Sequence, residues 1–140
     1  FPVWSRNVKF KVQNSKFEVN SHKNRSYDEP ETLNFEPFYD CLIYIANWPE
    51  ARKEPWSKLL EARAIENQVY VVGVNRVGVD GKEISYSGNS VVINPKGNLI
   101  SNIKPQLNEI ATIELNKQEL ENFREKFPVG LDADDFEVIY

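Results

Sequence analysis

The chain contains no methionine, a single cysteine (Cys41) and a single histidine (His22) among its 140 residues. One thiol excludes an internal disulfide and fits a reducing compartment, so a cytoplasmic protein is expected. Thiol–imidazole catalysis has one conceivable pair. Cys41 lies inside an apolar run with no glycine-rich elbow around it, and His22 lies in a polar stretch. A buried structural thiol and an exposed histidine are therefore expected, and no catalytic dyad. No apolar run approaches the roughly 18–20 residues that a membrane span requires, and no basic-then-apolar leader opens the chain. Without such a leader the sequon Asn24-Arg25-Ser26 carries little weight. A start at Phe1 without methionine points away from a complete gene product. An overall basic charge is also missing. The net charge of -4 and a pI near 5.1 argue against a dedicated nucleic-acid binder.

What is present is enough for a core. Hydrophobic residues make up 41% and aromatics 12% of the chain, which fits one domain or a piece of one. Charge is uneven: residues 1–27 hold six Lys or Arg and one acid, and the remainder is strongly acidic. In that basic stretch Val8, Phe10 and Val12 alternate with polar residues, and Phe17 and Val19 do so after Gln13-Asn14-Ser15. The pattern predicts a solvated hairpin, followed by a polar surface loop to Pro37. Its mixture of basic and aromatic residues also allows a nucleic-acid contact, which would weaken steeply with salt.

The organised part begins near Phe38. Cys41 to Ala46 is a nearly unbroken apolar run, suited to a strand buried on both faces. A helix opens at Glu54 or Pro55, with Trp56, Leu59, Leu60, Arg63, Ala64 and Asn67 at helical spacing. Val69 to Val74 reads as a second buried strand. Asp80-Gly81 marks a turn between Val77 and Ile84, and Pro95-Lys96-Gly97 joins the arms Asn89–Asn94 and Asn98–Ile103. Ile110 to Leu115 alternates as a strand. Asn116, with Glu119 three residues on, caps a last helix whose buried side is Leu120, Phe123 and Phe127 and which stops at Pro128. The order is β-α-β, then hairpins, then a helix: a layered α/β class.

Two motifs fail on inspection. Asp132, Asp134 and Asp135 lack the spacing of a calcium loop, so no metal site is expected. Gly73 to Gly78 mimics the start of a phosphate loop, but Val79-Asp80 replaces the required Lys-Ser/Thr. Asn47-Trp48-Pro49 is the remaining candidate, at the end of a strand, where ligands gather in α/β proteins. Trp48 offers a flat apolar wall and an N–H donor. Asn47 can donate to or accept from an amide or carboxylate, and Arg52 can pair with a carboxylate. The other reading makes Trp48 a core plug and Asn47 a cap of the following turn. The pattern alone leaves both standing.

The run Tyr39-Asp40, Leu42-Ile43-Tyr44 and Ala46-Asn47-Trp48-Pro49 resembles the carbon–nitrogen hydrolase (nitrilase) superfamily, within it the omega-amidase-like branch. So do Glu61-Ala62-Arg63-Ala64-Ile65-Glu66-Asn67-Gln68, Gly73-Val74-Asn75-Arg76-Val77-Gly78 and Ser90-Val91-Val92-Ile93. The hairpin through Pro95 and Gly97, the helix end Phe127-Pro128 and the tail Asp132-Ala133-Asp134-Asp135-Phe136 are also similar. Phe1 to Asn7 resembles the segment after that family's nucleophile elbow, residues 8–37 look like an insertion, and 38–140 resembles the C-terminal part of the domain.

That resemblance implies part of a four-layer αββα sandwich and an amidase that cleaves small ω-amides. It would use a Glu-Lys-Cys set through a thioester, without metal or organic cofactor. All three catalytic residues would lie upstream of Phe1, so none is assigned here, and the chain alone would be inactive. The resemblance assigns Asn47, Trp48, Arg52 and Phe1 to the substrate pocket, and it makes Arg63 and Glu66 a structural brace. The implied partners are a small amide substrate, an upstream part carrying Glu, Lys and Cys, and a second copy in a homodimer. Neither nucleic acid nor membrane is implied. The alternative is a non-catalytic binding or structural subunit that completes a hydrolase with a partner chain.

Overall fold

The computed structural model describes residues 8–13 and 39–132. Phe1, His22 and the acidic tail beyond Asp132 fall outside them. So does the second arm of the expected hairpin.

The β-α-β block is present. Strand β2 (Cys41–Ala46) leads through a short 3-10 turn (Glu50–Arg52) into helix α1 (Lys53–Asn67) and strand β3 (Tyr70–Asn75). The strands pair in parallel, from Cys41 opposite Tyr70 to Ala46 opposite Asn75. Strand β6 (Val91–Ile93) pairs antiparallel with β3 on its other side, giving a sheet of order β2-β3-β6. Helix α1 covers one sheet face with Trp56, Leu60 and Ala64, spaced by four and packed on Val71 and Ile93. Leu59, which shares the helical periodicity, points away and is exposed. The close helix–sheet approach depends on Gly73. A Cβ there would lie 2.5 Å from Leu60 Cδ1 and 2.9 Å from Trp56 Cζ2. The helix ends at Gln68, whose left-handed φ of 49° lets its N–H reach the Ala64 and Ile65 carbonyls.

The opposite face carries Tyr70, Val72 and Val92. Leu115 of strand β7 (Ala111–Asn116) and Leu120 of helix α2 (Lys117–Lys126) pack on them. Coverage there is incomplete, which corrects the expectation of a doubly buried β2. Ile43 is 51% and Ile45 75% exposed, whereas Leu42, Tyr44 and Ala46 pack toward α1. Strand β1 (Val8–Gln13) forms where period-2 alternation predicts one, and it pairs in parallel with β7. The Asp80-Gly81 turn joins β4 (Val77–Val79) to β5 (Ser85–Ser87). The hairpin after β6 is slighter than its sequence suggests: its return arm is one bridge from Ile93 to Leu99.

Asn116 caps α2 as its sequence predicts, accepting from the Glu119 N–H at 3.2 Å. Phe127 does not share the buried side of α2; it is 59% exposed, its ring tilted against that of Phe123 with centres 6.4 Å apart. Arg124 ties this helix back to the first block. It donates to Asp40 Oδ1 at 2.7 Å, to the Gln68 carbonyl at 3.0 Å and to the Tyr39 carbonyl at 3.1 Å. Lys117 lies 3.5 Å from the other Asp40 oxygen.

Candidate functional site

The C-terminal ends of β2 and β3 lie side by side, and the chain turns sharply after each. After β2 comes Asn47-Trp48-Pro49. Pro49 N-caps the 3-10 turn without any side-chain bond, so Asn47 is not the cap. Asn47 is exposed, and its side chain makes no hydrogen bond among the described residues. Trp48 is half-buried against the first core cluster. Its indole N–H donates to the Arg52 carbonyl in a short hydrogen bond. A ligand would therefore meet the ring of Trp48, and the donor expected from the sequence is already engaged. The Arg52 guanidinium stands 5.3 Å from the centre of that ring, within cation–π range. Trp56 lies behind, its ring centre 5.7 Å from that of Trp48, and its own N–H donates to the Asn89 carbonyl at 2.9 Å.

Asn75 organises this corner, and the sequence reading passed over its role. It ends an otherwise apolar strand and is 4% exposed. Its Oδ1 accepts from the Trp48 backbone N–H at 2.8 Å. Its Nδ2 donates to the Trp48 carbonyl at 2.9 Å and to the Gly88 carbonyl at 2.8 Å. The side chain thus serves as one more rung beyond the end of the β2–β3 ladder. Its backbone is clamped too, because Ser90 Oγ accepts from the Asn75 N–H at 3.0 Å and donates to its carbonyl at 3.1 Å. A polar residue in the last position of a buried strand was the available signal, since buried polar groups persist where they are satisfied.

Glu50 closes the rim. Its carboxylate accepts from Ser85 Oγ at 2.6 Å and from Gln106 Nε2 at 3.3 Å, joining the 3-10 turn to β5 and to a later loop. The Ser85 bond is the main cause that holds this carboxyl below its usual range. Farther out, Asp80 is held low by N–H donation from Ile84 and Lys82, and it accepts from Tyr86 OH at 2.9 Å. Arg76 stands over the Tyr86 ring at 4.6 Å. Beside Asn75 an open depression runs between Val74, Ser90, Ile103, Lys104, Leu107 and Glu109.

Cys41 sits at the other end of β2, away from this corner. Burial, reinforced by the neighbouring Asp40 charge, pushes its thiol up to about 11. Such a thiol is almost wholly protonated at neutral pH and is a poor nucleophile. Among the described residues no group of three His, Cys, Asp or Glu side chains is placed to hold a metal ion. No helix there is long and apolar enough to cross a membrane. Arg63 and Glu66 do form an ion pair on the exposed side of α1.

The carbon-nitrogen hydrolase profile matches residues 39–125, which take in the strand-end corner, α1, β3 and most of α2. The chain belongs to the carbon-nitrogen hydrolase family. Among curated relatives of this chain, the omega-amidase YafV of Escherichia coli K12 is 40% identical over 136 residues, 97% of this chain. The chain spans 42% of the length of that relative. Among solved structures, XC1258 of Xanthomonas campestris, a CN-hydrolase superfamily protein, is 41% identical with a TM-score of 0.68. That match covers 71% of this chain and 37% of the other. Saccharomyces cerevisiae Nit3, of the nitrilase superfamily, is 27% identical with a TM-score of 0.57, over 64% of this chain and 33% of the other. The α/β architecture expected from the order of elements and the family implied by the motifs are both confirmed.

Proposed function

We propose that this chain forms the pocket wall and scaffold of an amidase that releases ammonia from small ω-amides, with its reactive residues on a preceding segment. The 40% identity to an omega-amidase over 97% of the chain carries this reading. The chain spans well under half of that relative, and its one cysteine has a thiol raised to about 11. Both facts support placing the nucleophile elsewhere.

In this reading a cysteine of the preceding segment attacks the amide carbon and a glutamate takes and returns the proton. A lysine stabilises the oxyanion, ammonia leaves, and water resolves the thioester. This chain contributes position. The Trp48 ring forms an apolar wall, the exposed Asn47 offers an amide beside it, and Arg52 brings a cation to the same corner. A cation there suits a substrate that carries a carboxylate. Phe1 is assigned to the same pocket from the motif alone.

Ammonia release from a short ω-amide tests this. The 140-residue chain alone should be inactive, and the chain joined to a preceding segment bearing Glu, Lys and Cys should be active. Hydrolysis by the isolated chain, abolished by Cys41→Ser, would overturn the placement of the nucleophile. Inactivity of the joined protein on every short ω-amide would overturn the substrate class.

A further inference from the structure

We infer that Asn75 is the positioning residue of the pocket wall, and that its amide group, with donor and acceptor on one side chain, is what holds Trp48 in place. As a statement about an amidase pocket this rests on the function proposed above; as a statement about the Trp48 corner it stands on geometry alone.

Three groups converge on one buried side chain: the Trp48 N–H, the Trp48 carbonyl and the Gly88 carbonyl. The first requires an acceptor and the other two require donors. A primary amide supplies one carbonyl and two N–H protons, so every demand is met. A carboxylate supplies acceptors only, and it would face two carbonyl oxygens without a proton to share. An aliphatic side chain leaves all three groups unpaired in a buried place. Gly88, whose carbonyl receives one of these bonds, and Asn89 are both in the left-handed region, at φ 75° and 54°. The Asn89 carbonyl also takes the Trp56 N–H. One amide thus fixes the spacing between β2, β3 and the 88–90 loop, and through them the pair of mutually tilted indoles.

N75D turns this into a measurement. Near neutral pH the introduced carboxylate should repel both carbonyls and displace Trp48. On acidification the protonated carboxyl gains one donor and keeps one acceptor, so the corner should partly re-form. A role limited to filling space predicts no such recovery. Other ionisable groups lie nearby: Arg76 is the next residue, and Lys104 and Glu109 border the adjacent depression. N75A retains all three and therefore reports their own response to pH.

The experiment uses the whole chain labelled with 5-fluorotryptophan. Its three fluorine signals, from Trp4, Trp48 and Trp56, are assigned with W48F and W56F. The Trp48 signal of N75D should depart from wild type near pH 7.5 and return toward it near pH 5, while that of N75A is displaced at both. Should N75D lose its fold near neutrality, regain of helical circular dichroism on acidification supports the inference equally. The inference is overturned if the Trp48 signal of N75D matches wild type throughout. It is also overturned if N75D and N75A respond to pH alike, or if N75D stays unfolded at both pH values while N75A folds. No turnover is needed, so a chain lacking amidase partners still decides the matter.

Discussion

Cys41 shows how far the surroundings of one side chain can decide its chemistry. It is the chain's one thiol, yet burial and the Asp40 charge raise it from 9.0 to about 11. That rise lowers the thiolate fraction at pH 8 about 100-fold. Native protein should therefore react with iodoacetamide about 100-fold more slowly than urea-unfolded protein, as followed by mass spectrometry. Gly73 makes the complementary point through its missing side chain. Gly73→Ala should push its Cβ into Leu60 and Trp56 and cost about 1–3 kcal/mol in urea unfolding. Asn75 differs from both. Its polarity is visible in the sequence, but its partners lie 27 and 13 residues away. No local pattern brings those residues together, so the organiser of the site was legible only as a polar residue at the end of an apolar strand.

At the scale of elements, legibility follows locality. The cap of α2 depends on Asn116 and a backbone N–H three residues on, and the sequence predicts it directly. Asn116→Ala should lower stability by about 1 kcal/mol, read from the urea midpoint at unchanged m. The turn at Asp80-Gly81 is legible for the same reason, since the Asp80 carboxylate bonds to N–H groups two and four residues ahead. The partner of β1 was not. Alternation of Val8, Phe10 and Val12 identifies a strand, but pairing depends on which edge is available, and β7 lies about a hundred residues away. The burial of β2 failed for a related reason. An apolar run reports what a strand is able to bury, and it does not report how much of each face neighbouring segments cover. The exposed Ile43 and Ile45 mark that difference.

Across the whole molecule, one polar contact and one apolar surface should behave oppositely under mutation. Arg124 bridges segments 84 and 56 residues away in sequence, and its side chain is only 15% exposed. Arg124→Met should cost about 2 kcal/mol, because it leaves two carbonyls without their charged donor and Asp40 with Lys117 alone. Ile45→Ser, on the open sheet face, should change stability by less than about 0.5 kcal/mol. Urea titration of the two variants side by side checks the contrast, and equal losses would show that the β2 face is covered in solution. The family and α/β class were legible because they reside in short runs of sequence, from Tyr39-Asp40 to the helix end Phe127-Pro128. The assembly of those runs by Arg124 and Asn75 was not, because each acts across distances that periodicity does not encode.

The bond from Arg124 to Tyr39 has a further consequence. It places the two ends of the 39–127 unit within the reach of a single side chain, with Gln68 also holding the Phe127 carbonyl at 2.7 Å. A unit whose ends nearly touch can be re-joined there and opened elsewhere. It can also be carried inside a host loop without pulling the host apart. The exposed turn at Gly81 is the natural place for new ends, and a circular permutant cut there would keep β2, α1 and β3 on one continuous stretch while the Gly88 and Ser90 partners of Asn75 came from the other end of the chain.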